Sequence, residues 1–327
     1  MKRLVKWTLS ALIVAAGLGV AAFTLMPQIF VERFIASLND NRNILPLPAD
    51  PKLFDAKAGA PLGVVIDGYW LVQQIAPDTW AIGEPRDNPD NYEYLLVGQK
   101  RALLIDAGQT KIRDIHAVLN RLTRLPVTVI PSHLHWDHSN GLRFFDSIAL
   151  VDLPETRARE HDGFVQLTRH EFVNNDPLRF KVSAWVKPDS WIDLGDRRVQ
   201  VLSTPGHTAT SVSVYDPQIH TLYTGDYLYP TTIYAFLPDS SLSAYTTTAD
   251  RLLSILPPDT RLYGAHCCRN DAVAQAPWLS LSDLKDLRTE IKTIQAGKAT
   301  GGRGILIRRY PVNSRMTILT LYPFGNR

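Results

Sequence analysis

The stretch Ser132-His133-Leu134-His135-Trp136-Asp137-His138 sets three imidazoles and one carboxylate within six residues. Core packing has no use for so many titratable groups. Neutral imidazole is a common metal ligand, and carboxylate suits hard or borderline divalent cations. In an extended segment alternate side chains point the same way, so His133 and His135 can reach one ion. Asp137 and His138 then fall on a tightening turn and can face a second ion. Three later groups each follow an expected strand: His207 in Thr204-Pro205-Gly206-His207-Thr208, Asp226 in Thr224-Gly225-Asp226, and His266 in Tyr263-Gly264-Ala265-His266. Singly, each reads as a cap or a satisfied polar group. In this order they complete a ligand set at strand ends, where loops converge on a site. The other histidines, His116, His161, His170 and His220, lack such context and read as surface or structural residues.

The elements that must position these groups are mostly strands. Tyr69–Ile82 and Tyr92–Ile105 read as strands, with a loop at Glu84–Asn91 between them. Ile112, Ile115, Val118, Leu119 and Leu122 share one face of an amphipathic helix over Ile112–Leu122. Val127–Ile130 is a short β-branched strand that runs into the histidine cluster. Val199–Ser203 and Ser211–Tyr215 are strands, Asp216-Pro217 is a turn, and His220–Thr224 starts the next strand. Leu284, Leu287, Ile291 and Ile294 mark a late helix with Ser282 as N-cap and Gly297 as stop. Ile305–Arg309 and Met316–Tyr322 close the chain as strands. Strands in groups with helices between them point to two sheets covered by helices rather than one doubly wound sheet.

The 327-residue chain is 45% apolar and 20% charged, enough for a large buried core. Its formal charge is +3, and Lys2, Arg3 and Lys6 supply all of that excess. A neutral body lacks the basic face that a nucleic-acid binder needs, so no nucleic acid is expected as partner. Thr8–Met26 is apolar apart from Thr8, Ser10 and Thr24. It is long enough to span a bilayer, and the preceding charges put the N-terminus inside and the body outside. Residues 1–26 are therefore expected to anchor the chain on the periplasmic side, or to act as a signal cleaved near Val20-Ala21-Ala22. Residues 27–63, which include the Pro-rich Asn39–Gly63, read as a linker, and 64–327 as the domain. The two cysteines, Cys267 and Cys268, are adjacent, a spacing that argues against a bridge. Cysteine of this kind usually behaves as a small buried hydrophobe.

From about Gly68 to His266 the sequence resembles the metallo-β-lactamase-fold hydrolase superfamily. Its HxHxDH signature is His133-x-His135-x-Asp137-His138, followed in order by His207, Asp226 and His266. The resemblance implies an α/β (α+β) chain folded as a four-layer αβ/βα sandwich with metals at one edge of two sheets. It also implies two zinc ions per chain. His133, His135 and His207 would hold the first, Asp137, His138 and His266 the second, and Asp226 would bridge. Leu104-Ile105-Asp106-Ala107-Gly108 matches the family's strand-end Asp-x-Gly element, in which Asp106 would orient the metal loop from behind.

Within the superfamily, subclass B1 β-lactamases carry Arg where His138 stands and Cys in place of the bridging carboxylate, and B3 enzymes usually lack that carboxylate. His138 and Asp226 together look more like glyoxalase II, acyl-homoserine lactonases and acyl-thioesterases. His135 speaks against the diiron oxygen reductases, and the neutral body against the tRNA-processing nucleases. Lactonases of this fold carry a tyrosine three residues after the bridging Asp, and Tyr229 matches it. Tyr227–Pro238 fits equally a core segment or an apolar wall for an acyl group. The implied activity is hydrolysis of a small-molecule ester, lactone or thioester by metal-activated hydroxide, with Tyr229 as oxyanion donor and Asp137 as proton carrier. A mononuclear iron persulfide dioxygenase and a β-lactam hydrolase are the alternatives. Nothing in the sequence sets an oligomeric state.

Overall fold

Strand residues here alternate between two apolar environments, so both faces of each main sheet are covered. The computed structural model describes residues 63–85, 90–168, 171, 177–267, 275–300 and 307–321. The first main sheet contains β1 (Gly63–Ile66), β2 (Trp70–Ala76), β3 (Thr79–Gly83), β4 (Tyr92–Val97), β5 (Ala102–Ile105) and β6 (Val127–Ile130), in that spatial order. Only β5 and β6 run parallel. A layer of short strands follows: β7 (Ala149–Val151), β8 (Glu160–His161), β9 (Phe164–Gln166), β10 (Arg179–Lys181) and β11 (Ala184–Val186). The second main sheet starts with β12 (Trp191–Asp193), β13 (Arg198–Ser203), β14 (Val212–Asp216) and β15 (Thr221–Gly225). Next along the chain is β16 (Thr232–Ala235), which belongs to a small third sheet; β17 (Arg261–Gly264) and β18 (Trp278–Ser280) complete the second. A C-terminal hairpin of β19 (Ile307–Pro311) and β20 (Thr317–Leu321) pairs with β16 through β20. The α-helices are α1 (His116–Leu122), α2 (Trp136–Ser139), α3 (Pro154–Arg157), α4 (Leu242–Ile255) and α5 (Leu281–Gln295).

Three buried clusters define four layers. Leu104 of β5 packs outward with Val118 and Leu119 of α1. Its neighbours Leu103 and Ile105 face the second sheet, meeting Val199, Val201 and Tyr223. Leu222 of β15 and Leu262 of β17 point the other way, onto Tyr245 and Leu252 of α4 and Leu284 and Leu287 of α5. The period of two thus sends each strand's side chains into two different cores. Tyr94, Tyr223 and Tyr263 meet between the sheets with ring centroids 4.9 to 6.2 Å apart. At the end of the sandwich away from the histidines, buried Arg197 pairs with Asp216 and donates to Asp78 O and Thr79 Oγ1. One guanidinium therefore joins the two sheets. Removing one partner of such a buried pair typically costs about 3–5 kcal/mol.

Several expected elements shift for local reasons. Tyr69–Ile82 divides into β2 and β3 at Pro77-Asp78, where Asp78 has φ +50°. Tyr92–Ile105 divides into β4 and β5 at a turn closed by the Gly98 N–H to Arg101 O bond. The first helix begins at His116 rather than Ile112, because the Thr110 hydroxyl accepts from the N–H groups of Ile112 and Arg113 and holds a turn there. Ile112 is 87% exposed and takes no part in the core. Ser280, not Ser282, starts α5: Asp283 accepts from both its N–H and its hydroxyl. Gly297, at φ +68°, does follow the end of that helix. The sequence reading missed α4, whose Thr246-Thr247-Thr248 run looks extended. Its register is fixed by Ser241, which accepts from Ala244 N–H, and by Leu242, Tyr245, Ala249 and Leu252 on one buried face.

Cys267 is buried and disulfide-bonded, which corrects the expectation of an unpaired vicinal pair. Cys268, His170, the segment 1–26 and most of the linker lie outside the described residues. Among the described residues no helix is long and apolar enough to cross a membrane.

Candidate metal centre

The expected ligands converge where β5, β6, β13, β15 and β17 all end. Asp106 follows β5 with φ +64°, a conformation open to Asp at modest cost. Its carboxylate accepts the Ser132 N–H (2.6 Å) and hydroxyl (2.9 Å) and lies 3.0 Å from His138 Nδ1. It thus grips both ends of the histidine stretch. Ala107 N–H donates to His138 O, and Gly141 N–H donates to Gly108 O, which locks the two turns together. Gly225 lets the second sheet approach: at φ +52°, a Cβ there would sit 2.4 Å from Ser132 Oγ.

All seven expected metal ligands come together, buried, in two groups. His133 Nε2 and His207 Nε2 stand 2.9 and 3.0 Å from His135 Nδ1, forming the first group. Asp137, His138, Asp226 and His266 form the second, their ligand atoms within 4.8 Å of one another. Asp226 belongs to both. Its Oδ1 lies 3.0 Å from His266 Nε2 and 3.3 Å from His138 Nε2, while Oδ2 lies 3.4 Å from His207 Nε2 and 4.0 Å from His133 Nε2. Main-chain carbonyls orient two of the rings: Tyr234 O lies 3.0 Å from His207 Nδ1, and Asp90 O lies 2.7 Å from His266 Nδ1. A carbonyl can only accept, so each Nδ1 carries a hydrogen and each Nε2 is the nitrogen turned toward the cluster.

The donor set fits a metal on its own terms. His138 Nε2 and Asp226 Oδ1 are buried and without a hydrogen bond, despite their 3.3 Å separation. Buried polar atoms without a hydrogen bond are costly unless an ion or water completes them. Burial and the neighbouring rings hold His133 well below the usual imidazole range, and burial lowers His207. In the second group burial also opposes charge, but the Asp137, Asp226 and Asp106 carboxylates outweigh it and hold His138 well above that range. For His266 burial is likewise outweighed by Asp226 and Asp137, which push it up to about 9. Asp226 is correspondingly held well below the usual carboxylate range: burial opposes this, but His266 and His138 outweigh it. The second group thus attracts positive charge.

A profile of the metallo-beta-lactamase superfamily matches residues 92–291. The chain belongs to this superfamily. This metallo-β-lactamase-fold chain is 27% identical over 207 residues to the acyl-coenzyme A thioesterase MBLAC2 of Gallus gallus, covering 53% of this chain and 73% of that protein. It is 27% identical over 177 residues to the hydroxyacylglutathione hydrolase of Brucella anthropi, covering 54% of this chain and 61% of that protein. The metallo-beta-lactamase structure from Pontibacter korlensis superposes with a TM-score of 0.53 at 19% identity, over 68% of this chain and 99% of that one. At that identity the structural likeness shows the fold alone. The relatives and the family make this metallo-β-lactamase-fold chain a hydrolase.

Tyr229 is buried beside the second group, with its ring edge-on to His266 at 5.1 Å. Its hydroxyl accepts from Tyr234 N–H at 3.3 Å. Most of the surrounding stretch is core: Tyr227, Leu228, Ile233 and Ala235 pack with α4 and α5. Phe236 and Leu237 form a separate cluster with Leu319. His116 pairs with Asp114 and His220 with Asp259 at the surface, as expected of residues outside the site, and His161 is exposed. The sequence reading missed a buried polar layer behind the metal loop, made of Glu84, Asn91, Glu93 and Gln109. The signal was present in Glu93, an acid within the apolar run of β4.

The charge states predict different pH behaviour for the two groups. His266 is raised from its ordinary 6.5 to about 9. In metal-depleted protein its positive charge stabilises the fold fully below the ordinary value, and that contribution is lost as pH rises through about 9. A cation at the second group must displace this proton, so its affinity should climb with pH over that window, with proton release. In the first group His133 and His207 are held below the usual imidazole range, so binding there should show no such climb. Zinc titration calorimetry in buffers of differing ionisation enthalpy checks this; two pH-independent equivalents across the window would contradict it.

Proposed function

We propose that this protein is a dinuclear zinc hydrolase of an acyl thioester, ester or lactone. The observation that carries this is Asp226, whose Oδ1 faces His138 and His266 while its Oδ2 lies 3.4 Å from His207 and 3.2 Å from His266, so that the carboxylate spans both ligand groups. His133, His135 and His207 would hold one ion, Asp137, His138 and His266 the other, with Asp226 shared. When bound, paired zinc ions lower the pKa of a shared water to about 7 and polarise a carbonyl oxygen. Asp137 faces both imidazoles of its group at 3.5–3.6 Å, and burial raises its carboxyl above the usual range. It is placed to hold and relay the proton lost from the nucleophile. Tyr229 uses its oxygen to accept from Tyr234 N–H, so its own proton is free to be donated to a developing oxyanion. The thioester is favoured within this class by the similarity to proteins named acyl-coenzyme A thioesterase and hydroxyacylglutathione hydrolase. A mononuclear iron dioxygenase would leave the complete second group without a task.

Metal analysis of the purified protein should give two zinc equivalents per chain, and His207→Ala should lose hydrolysis with at least one of them. A panel of acyl-thioester, ester, lactone and cephalosporin substrates should show thioester, ester or lactone turnover. On the active substrate, Tyr229→Phe should lower kcat about tenfold to a hundredfold with little change in KM. One iron per chain with oxygen uptake, or cephalosporin turnover alone, would contradict the proposal. A kcat within about twofold of wild type would remove Tyr229 from the mechanism.

The proposal extends to location: residues 1–26 anchor the domain on the outer face of a membrane, or direct its export. A fusion of Met1–Phe30 to a reporter active only outside the cytoplasm should give signal; activity confined to the cytoplasm would contradict this.

A further inference from the structure

Two ligands of the second group, Asp137 and His266, one from each half of the sandwich, touch the same short piece of chain. Asp90 and Asn91 close the connection from β3 to β4. Asp90 O accepts from His266 Nδ1, on the loop after β17 of the second sheet. Asn91, fully buried, donates from Nδ2 to the main-chain oxygen of Asp137 at 2.5 Å, on the loop after β6 of the first sheet. The same Nδ2 lies 3.3 Å from Glu93 Oε1, which fixes the amide in its donor orientation. Behind this pair, Glu84 accepts Gln109 N–H (2.8 Å) and the Tyr69 hydroxyl (2.9 Å). Gly108 lies against both acids: at φ +79°, a Cβ there would sit 2.9 Å from an oxygen of each. Asn140 Nδ2 donates to Gln109 O, which returns the network to the metal loop.

The contacts are selective. The first group is held from elsewhere, by Tyr234 O on His207 Nδ1 and by the Ser240 hydroxyl on His207 O. Asn91 Nδ2 bonds to Asp137 O and Glu93 Oε1, neither of which belongs to the first group.

We propose that Asn91, with Glu93 behind it, is a positioning residue for the second metal position, and that with Asp90 O it clasps Asp137 and His266 into one group. This rests on the dinuclear proposal. Asn91 acts through the main chain of Asp137, so its loss should loosen one position and spare the other. Outer partners of this kind typically change metal affinity by about 10–100-fold.

The test is equilibrium dialysis against buffered free zinc, at the lowest level where wild type holds two equivalents. Asn91→Ala should retain one equivalent, with second-site affinity weakened about 10–100-fold. Combining it with His207→Ala should remove the retained one. Ser240→Ala, which removes the matching bond in the first group, should leave the second group's occupancy unchanged. Asn91→Ser, too short to reach Asp137 O, guards against poor folding of the alanine variant and should behave alike. Two equivalents in either Asn91 variant at wild-type strength would overturn the proposal. So would equal weakening of both positions, or failure of both variants to fold, since each shows a general structural role. Wild type that never takes up two equivalents would instead overturn the dinuclear proposal itself.

Discussion

Charge balance in a dry space governs this molecule. Two carboxylates and five imidazoles meet at the edge of two sheets, nearly all hidden from water. Buried charge is tolerated only when it is paired or coordinated. In the second group the acids satisfy this by holding protons on His138 and His266, well beyond where imidazole normally releases them. Those protons occupy the electrostatic place of a cation. In the first group burial outweighs the nearby carboxylates and holds His133 and His207 below the usual imidazole range. Asp226 couples the two, because its Oδ1 faces His138 and His266 while its Oδ2 reaches His207 as well as His266.

The architecture answers the geometric demand this makes. No single sheet supplies either complete ligand group, so the sandwich must close to within hydrogen-bond distance at one edge. Gly225 removes the side chain that would collide with Ser132, and Val212 N–H donates to Ser132 O across the same gap. At the far edge Arg197 ties Asp216 to the turn before β3, and three tyrosine rings fill the space between. Asp106 reaches from β5 to hold Ser132 and His138, and Asn91 reaches from the opposite side to hold Asp137. The ligands are therefore fixed from behind by groups that never face substrate.

Much of this was legible from residue types alone. The seven ligands were readable because imidazole and carboxylate at that density and order have no packing purpose. Asp106 was readable because Leu104–Gly108 resembles the superfamily's strand-end Asp-x-Gly element. The grouping of strands and helices pointed to two covered sheets, and the resemblance to the superfamily supplied the four layers. What escaped notice depends on tertiary context. Ile112 continued a helical period, but Thr110 diverted the chain before the helix could start. The threonine run in α4 looked extended until the apolar face around Tyr245 and Leu252 imposed a helix. Asn91 resembled an ordinary loop residue, because its partner is a main-chain oxygen 46 positions away.

The central claim is that one carboxylate joins two cation positions. A crystal structure of the zinc-loaded protein, with anomalous diffraction recorded at the zinc edge, tests it most directly. The account predicts two zinc ions about 3.5–4 Å apart, one on His133, His135 and His207, the other on Asp137, His138 and His266, with Asp226 contacting both. A single ion, or two ions with Asp226 bound to only one, would contradict it.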